Sequence, residues 1–228
     1  MKEKIEEMEM PVLFVLDSTK AERALIFGTI NGNQRQVPAS VIYDLFDLSE
    51  KRSPEKIAHL IARNVNSIDV SPFWGRLKML GYKAPGSDQR ITQGLFVKNL
   101  LSLFNEKKTN FLYLYLNNKD EYILRYVIQI FNSVKNVWPD EWEDKNSILS
   151  KSVGVTGIFK AFPFIIDFCD KNIKDNNESF VICCDQIFSR TKQLLSNKHK
   201  PLISSNFAGG SGANMLKDYI LEAIGSLQ

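Results

Sequence analysis

The polar segment INGNQRQVP, from Ile30 to Pro38, concentrates side chains that are well suited to contact a nucleic acid. The amides of Asn31 and Gln34 can hydrogen-bond to base edges or phosphates, and Arg35 can pair bidentately with a phosphate or a guanine. A plainer interpretation is that Asn31 caps the preceding helix and that Gln34 faces water. Residue types alone favour the plainer interpretation, so a binding role depends on what surrounds the segment.

A glycine-rich segment, GGSGAN, stands before the last predicted helix and could bind an anion. Backbone amides at a helix start can hold a phosphate or a carboxylate, which makes Gly209, Gly210, Ser211 and Gly212 candidate anion ligands. The segment lacks the Lys-Ser/Thr ending of a phosphate-binding P-loop and does not follow a predicted strand. A flexible loop that begins a helix is therefore the preferred interpretation.

The histidines and cysteines do not form a pattern typical of catalysis. His59 falls within a predicted helix and His199 in a basic loop, so neither belongs to a metal or acid-base motif. Cys183 and Cys184 lie in the apolar run FVICCDQIF, and Asp185 beside them would raise a thiol pKa instead of activating it. We expect structural cysteines and no metal site.

Four carboxylates fall within five residues of the segment WPDEWEDK: Asp140, Glu141, Glu143 and Asp144. They could bind a cation, but acidic residues in a first helical turn also complement the helix dipole, and that interpretation is preferred. The rings of Trp138 and Trp142 should anchor the segment. The sequence thus predicts no catalytic residue, metal or cofactor.

The composition is that of an ordinary globular protein and names no partner. The 228 residues are 44% hydrophobic, and the formal net charge is +3. Three cysteines, two of them adjacent, fit a reducing cytoplasm better than a disulfide framework. MKEKIEEMEM does not resemble a signal peptide, and charged residues interrupt the most apolar stretches. We therefore expect a cytoplasmic protein without a membrane partner.

Hydrophobic periodicity predicts a mainly helical chain. Pro11 to Asp17 is predicted as a strand, and a helix from about Lys20 to Ile30 follows it. Ser53 and Pro54 are typical of a helix start, and a further helix containing Ile91 to Phe104 should be capped by Ser87 or Asp88. The segment FLYLYL could be strand or helix, and periodicity does not decide.

The predicted fold class is mainly α, with a small α+β part at the N-terminus. Pro, Gly, Ser and Asp cluster between Ala84 and Asp88, where a mixed first part meets a helical second part. We accordingly predict a first domain over residues 1–85 and a helical subdomain over residues 86–228.

The order of these segments resembles the bacterial DGQHR-domain family, which includes the DndB type of DNA sulfur-modification regulator. The resemblance rests on PVLFVLD, AERALIFGTINGNQRQVPASVIYDLFDL, RSPEKIAHLIARNVN, SPFWGRLKMLG and ITQGLFVKNLL. It spans about Pro11 to Phe104, with a looser match toward the end of the chain. The family is related to the ParB and sulfiredoxin superfamily. The resemblance thus implies a remnant of a ParB-like α/β unit followed by a helical bundle.

The chain contains no Asp-Gly-Gln-His-Arg motif, the part of that family expected to bind nucleotide or phosphate; NGNQR is only superficially similar. Either the chain is half of a split or truncated gene product, which is preferred, or it is a shortened member with an interaction role. An apolar strand from Val12 to Leu16 at a sheet edge would be prone to pair with other chains, so we expect another segment to cover it. A second polypeptide or a second copy would supply that segment.

The leading functional prediction is a DNA-linked binding or regulatory protein, acting in DNA modification, phage defence or transcription regulation without catalysis of its own. One alternative is a fragment of a nucleotide-dependent or nuclease-like enzyme completed by a partner chain, and another is a helical protein-interaction module. If DNA binds, Asn31 and Gln34 would read it, and five cations would contact its backbone: Arg35, Arg63, Arg76, Lys78 and Arg90.

Overall fold

The computed structural model describes residues 16–19, 39–45, 51–79, 83, 85–105, 110–172 and 177–227. The chain divides into two units, Met1–Val37 and Pro38–Gln228. The predicted helix from Lys20 to Ile30 and the segment holding Asn31, Gln34 and Arg35 lie outside the described residues. The predicted strand from Pro11 to Asp17 also lies outside the described residues, apart from Leu16 and Asp17. That a second chain covers this strand stays a prediction.

The described part of the second unit is mainly helical and contains one small sheet, which confirms the predicted fold class. Its described strands are β1 (Leu77–Lys78) and β2 (Ile91–Thr92). Its described helices are α1 (Ala39–Leu45), α2 (Pro54–Ser67), α3 (Gln93–Asn105), α4 (Asn110–Leu116), α5 (Asp120–Val137), α6 (Pro139–Glu143), α7 (Ser152–Asn172), α8 (Asn177–Asn197) and α9 (Gly209–Gly225).

Helix α2 begins as its sequence predicts. Ser53 has an extended backbone, and its hydroxyl accepts a hydrogen bond from the Lys56 amide at 3.1 Å. Pro54 occupies the first helical position, where the lack of an amide hydrogen costs nothing. Ile57, Ala58, Ile61, Ala62 and Val65 then follow at helical spacing and are buried on one face.

Helix α3 begins later than predicted, because a strand takes up the residues before it. β1 pairs in parallel with β2, with Leu77 opposite Ile91. The helix starts at Gln93, and Thr92, not Ser87 or Asp88, accepts a hydrogen bond from the Leu95 amide at 3.2 Å. The predicted domain boundary between residues 85 and 86 falls in the connection between β1 and β2, inside the second unit.

The segment FLYLYL, for which periodicity alone does not decide between strand and helix, is helical and forms most of α4. Phe111 and Leu114, three residues apart, are its buried residues, whereas Tyr113 and Leu116 are exposed. This spacing of buried residues follows the helical repeat and not the two-residue repeat of a strand. The packing surface offered by neighbouring helices therefore decides the conformation.

A cluster of aromatic rings fills the centre of the unit. The Phe131 ring on α5 lies 4.7 Å from Phe73, 5.2 Å from Phe159 and 5.6 Å from Phe162, measured between centroids. Trp142 of α6, fully buried, lies 5.6 Å from Phe73. Several of these pairs meet edge to face, the geometry that aromatic quadrupoles favour. The cluster joins α5, α6, α7 and the turn before β1.

Among the described residues, α7 is the one helix that is both long and apolar enough to cross a membrane. Its mean hydropathy of 1.5 over an 18-residue window and its length would suffice to cross a bilayer, but 61% of that window is buried inside the unit. Helix α9 packs closely against it, and a Cβ on Gly157 would lie 2.8 Å from the Ala213 carbonyl oxygen. The absence of a side chain at Gly157 therefore permits this close contact.

The three cysteines are buried and free, as expected of structural cysteines. The Cys169 thiol on α7 donates to Cys183 on α8 across 2.6 Å. The hydrogen bond with Cys169, burial and the neighbouring sulfur raise the pKa of the Cys183 thiol. Both thiols serve to pack α7 against α8.

Gly157→Ala should lower the free energy of unfolding by about 1 kcal/mol. The gain in helix propensity is about 1 kcal/mol, but overpacking against α9 costs about 1–3 kcal/mol. Gly210→Ala is the control, because a Cβ there would meet nothing within 4 Å and stability should stay the same or rise slightly. Urea unfolding followed by circular dichroism measures both. Equal effects of the two substitutions would contradict close packing at Gly157.

Candidate nucleic-acid interface

Arg90, just before β2, is held by five hydrogen bonds. Its Nε and Nη2 atoms donate to the two carboxylate oxygens of Asp88, at 2.9 and 2.7 Å. Nη2 also donates to the Glu143 carbonyl at 2.7 Å, while Nη1 donates to the Asp144 carbonyl at 3.0 Å and to Ser150 Oγ at 2.6 Å. A guanidinium has five N–H donors, so none is left for a ligand. Arg90 joins three segments of the chain.

Asp88 is the acidic partner in this network. The hydrogen bond from Arg90 holds the pKa of its carboxyl below the ordinary value; partial burial opposes this effect, and the charges of Arg90, Arg76 and Lys145 add to it. The carboxylate therefore stays ionised and neutralises Arg90.

Arg76 forms a second internal ion pair, since its Nη2 lies 2.5 Å from a carboxylate oxygen of Glu143. Its carbonyl also accepts the Arg90 amide at 3.3 Å. Both arginines predicted to contact DNA in this region thus pair with acidic side chains of the same chain.

A basic pocket of about 540 Å³ lies beside Arg90. Four lysines line it together with Asp88, Gln89, Arg90, Ser152 and Val153; they are Lys78, Lys83, Lys145 and Lys151. We call this the lysine pocket. Lys78 comes from β1, Lys83 from the β1–β2 connection, Lys145 from the turn after α6 and Lys151 from the residue before α7. The chain brings together cations from positions more than 60 residues apart.

The first two residues of α7, Ser152 and Val153, line the same pocket. The first helical hydrogen bond runs from the Val155 amide to the Lys151 carbonyl at 3.0 Å, so the amides of Ser152 and Val153 precede it. Free amides and the helix dipole make this end positive. Gly154 lets residues 148–149 lie against the helix, because a Cβ there would overlap the Ile148 carbonyl.

The lysines differ in their partners. The Lys151 ammonium donates to the Asn146 carbonyl at 3.2 Å. Lys78, Lys83 and Lys145 form no hydrogen bond or ion pair through their side chains with any residue that the structure describes. Three ammonium groups are therefore available to an anion, and all three line one pocket.

Those residues predicted from the sequence that the structure describes do not all line one pocket. Lys78 lines the lysine pocket, and Arg90 lies in its wall with every donor engaged. Arg63 is exposed on α2 and is not among the pocket residues. Sequence reasoning missed Lys83, Lys145 and Lys151; the signal available for the last was its place directly before an apolar helix.

The glycine-rich segment forms the first turn of α9, not a loop ahead of it, and does not line the lysine pocket. Gly209, Gly210 and Ser211 are exposed, and the Ser211 hydroxyl donates to the Ala208 carbonyl at 2.9 Å. The Gly212 amide donates to the same carbonyl at 2.9 Å, and a Cβ there would overlap Phe207. Gly212 is thus explained by packing.

The described residues contain no group of three or more His, Cys, Asp or Glu side chains placed to hold a metal ion. The buried ring of His59 lies with its Nδ1 2.6 Å from the Gln93 amide nitrogen. This pair connects α2 to the start of α3.

Comparison of the chain with known protein families, with curated proteins and with solved structures found no match in any of the three. The case for a function therefore depends on the chain's own residues.

Arg90→Lys should lower the free energy of unfolding by at least about 2 kcal/mol. A lysine keeps the charge but has three donors on one atom, so it cannot bond to all of Asp88, the two carbonyls and Ser150. Arg63→Lys, at an exposed position on α2, is the control and should change stability by less than about 0.5 kcal/mol. Urea unfolding measures both. A small and equal effect at the two positions would contradict the role given to Arg90.

Asp88→Asn should lower the Tm at pH 7 and flatten the decline of Tm in acid. The Asp88 pKa is lower in the folded chain than in the unfolded one, so its stabilising contribution is present at neutral pH. That contribution disappears as the pH falls below about 4 and through the folded pKa. Thermal unfolding between pH 2 and pH 7 measures the effect. Parallel pH profiles for the two proteins would contradict it.

Proposed function

We propose that this protein binds the phosphate backbone of DNA at the lysine pocket, in a binding or regulatory role without catalysis of its own. One observation carries the proposal: Lys78, Lys83 and Lys145 line a common pocket and have no hydrogen-bond or ion-pair partner among the described residues. Ser152 and Val153, the first two residues of α7, line the same pocket. Lysines grouped beside a helix N-terminus form an environment that favours phosphate.

The charge balance of the pocket supports an anionic ligand. Arg90 is neutralised by Asp88, and Arg76 by Glu143, so the local positive charge comes from the lysines. An ammonium group on a flexible stem contacts phosphate as a point charge and does not read bases in a fixed geometry. Binding at this pocket should accordingly depend on salt and only weakly on sequence.

The resemblance to DGQHR-domain proteins suggests the biological setting. That family includes regulators of DNA modification, and the proposal therefore places this protein in DNA modification, phage defence or transcription regulation. The lysine pocket itself supports only the narrower statement that a nucleic-acid backbone binds there.

Replacing the three lysines should weaken binding to duplex DNA and reduce its salt dependence. In Lys78→Gln/Lys83→Gln/Lys145→Gln, the slope of log K against log salt should fall by about 0.9 for each phosphate that the variant no longer neutralises. Fluorescence anisotropy with a labelled 20-base-pair duplex over a salt series measures the slope.

The control is Lys171→Gln/Lys198→Gln/Lys217→Gln, which removes the same charge at lysines paired with Asp167, Glu222 and Asp218. It should keep the parent slope. Equal reductions of affinity in both triple variants would show that net charge and not the pocket governs binding. Failure of the parent protein to bind duplex DNA at low salt would overturn the proposal.

A further inference from the structure

Two exposed tyrosines alternate with two cations where α4 meets α5. The Lys119 ammonium lies 5.9 Å from the ring centroid of Tyr113 and 5.9 Å from that of Tyr122. The guanidinium carbon of Arg125 lies 5.0 Å from the Tyr122 centroid. We call Tyr113, Lys119, Tyr122 and Arg125 the tyrosine–cation row. Tyr113 is 58% exposed and Tyr122 is 41% exposed, so both rings are accessible.

The turn between the two helices fixes the order of the row. The Lys119 amide donates to the Leu114 carbonyl at 2.8 Å, and the Tyr122 amide donates to the Lys119 carbonyl at 3.1 Å. Asn118 has a φ of 55°, a conformation that asparagine tolerates better than most residues. The Asn117 side chain also donates to the Tyr113 carbonyl at 2.8 Å. The row is therefore held on a defined turn.

The opposite faces of the same helices are buried. Phe111 on α4 stacks on Phe162 with centroids 6.1 Å apart, and Ile123 and Val127 of α5 are fully buried. The row thus lies on the outer side of elements whose inner side belongs to the core. Its rings are not needed to hold the unit together.

The local charge favours an anionic partner. The Asp120 carboxylate forms an ion pair with Arg52, in which Nη2 lies 2.5 Å from Oδ1. The Arg52 guanidinium also lies over the ring of Tyr115. Glu121 is an exposed carboxylate of the same stretch, and the cations Lys119 and Arg125 are exposed beside the rings. Cations set between exposed rings match a polymer that alternates phosphates with flat bases.

We propose that the tyrosine–cation row binds single-stranded nucleic acid, with Tyr113 and Tyr122 stacking on bases while Lys119 and Arg125 contact phosphates. Stacking needs base faces that a duplex keeps covered, so the row selects unpaired strands. The inference rests on the proposed function only in taking a nucleic acid as the ligand. Its residues are separate from the lysine pocket, so each can fail alone.

The test is binding of a labelled 15-nucleotide oligothymidine by fluorescence anisotropy. Tyr113→Ala/Tyr122→Ala should weaken binding at least about fivefold for each ring removed, since base–aromatic stacking contributes about 1–3 kcal/mol per base. Tyr113→Phe/Tyr122→Phe keeps both rings and should bind within about twofold of the parent. Circular dichroism confirms that the variants keep their helix content.

Photocrosslinking locates the contact directly. An oligonucleotide carrying 5-iodouracil should crosslink to the tryptic peptides that contain Tyr113 or Tyr122, identified by mass spectrometry. Duplex binding by the Ala variant should stay within about twofold of the parent, which separates this surface from the lysine pocket.

Three results would overturn the inference: no binding of the single strand by the parent protein at low salt, parent-like binding by the Ala variant, or equal weakening in the Ala and Phe variants. The first two exclude the row as a binding surface, and the third excludes stacking as its mechanism. None of them alters the duplex salt slopes that test the lysine pocket.

Discussion

The contact between Phe131 and Phe73, with ring centroids 4.7 Å apart, links the helical core to the turn before β1. Phe131 also meets Phe159 and Phe162 of α7, and Trp142 of α6 lies beside both Phe73 and Phe131. Close packing of rings fixes the positions of these elements, because a packed core does not deform continuously. The cluster thereby positions β1, the end of α6 and the start of α7. These elements supply residues of the lysine pocket.

Arg90 fixes the positions of neighbouring chain segments through hydrogen bonds, as the aromatic rings do through packing. Its acceptors at Glu143, Asp144 and Ser150 lie 53 to 60 residues further along the chain, and the guanidinium brings them to one point. Arg90 in the wall of the lysine pocket is thus neutralised by an acidic side chain, whereas the lysines that line the pocket give it positive charge. Cations with internal partners give it shape, whereas cations without such partners give it a positive potential. Counting basic residues in the sequence cannot separate these two classes.

Local signals predict the helices well. Ser53 with Pro54 marks the start of α2, because a capping hydroxyl and a proline act on near neighbours in the chain. FLYLYL cannot be assigned from sequence, because a continuous apolar run satisfies either repeat and its partner Phe162 lies far along the chain. The predicted start of α3 is wrong because β1 pairs with β2. Lys78 is predicted as a contact, but Lys145 and Lys151 share its pocket only through tertiary structure.

Helix α7 combines Gly154, Gly157 and Pro163 with a strongly apolar face. Such a sequence has low intrinsic helix propensity, and its stability comes from partners. Helix α9 is synthesised after α7. Ala213, whose carbonyl lies against Gly157, follows that glycine by more than 50 residues in the sequence. During this interval the apolar face of α7 has no cover from α9. The apolar face of α7 in the nascent chain therefore stays exposed on this side until α9 has been synthesised.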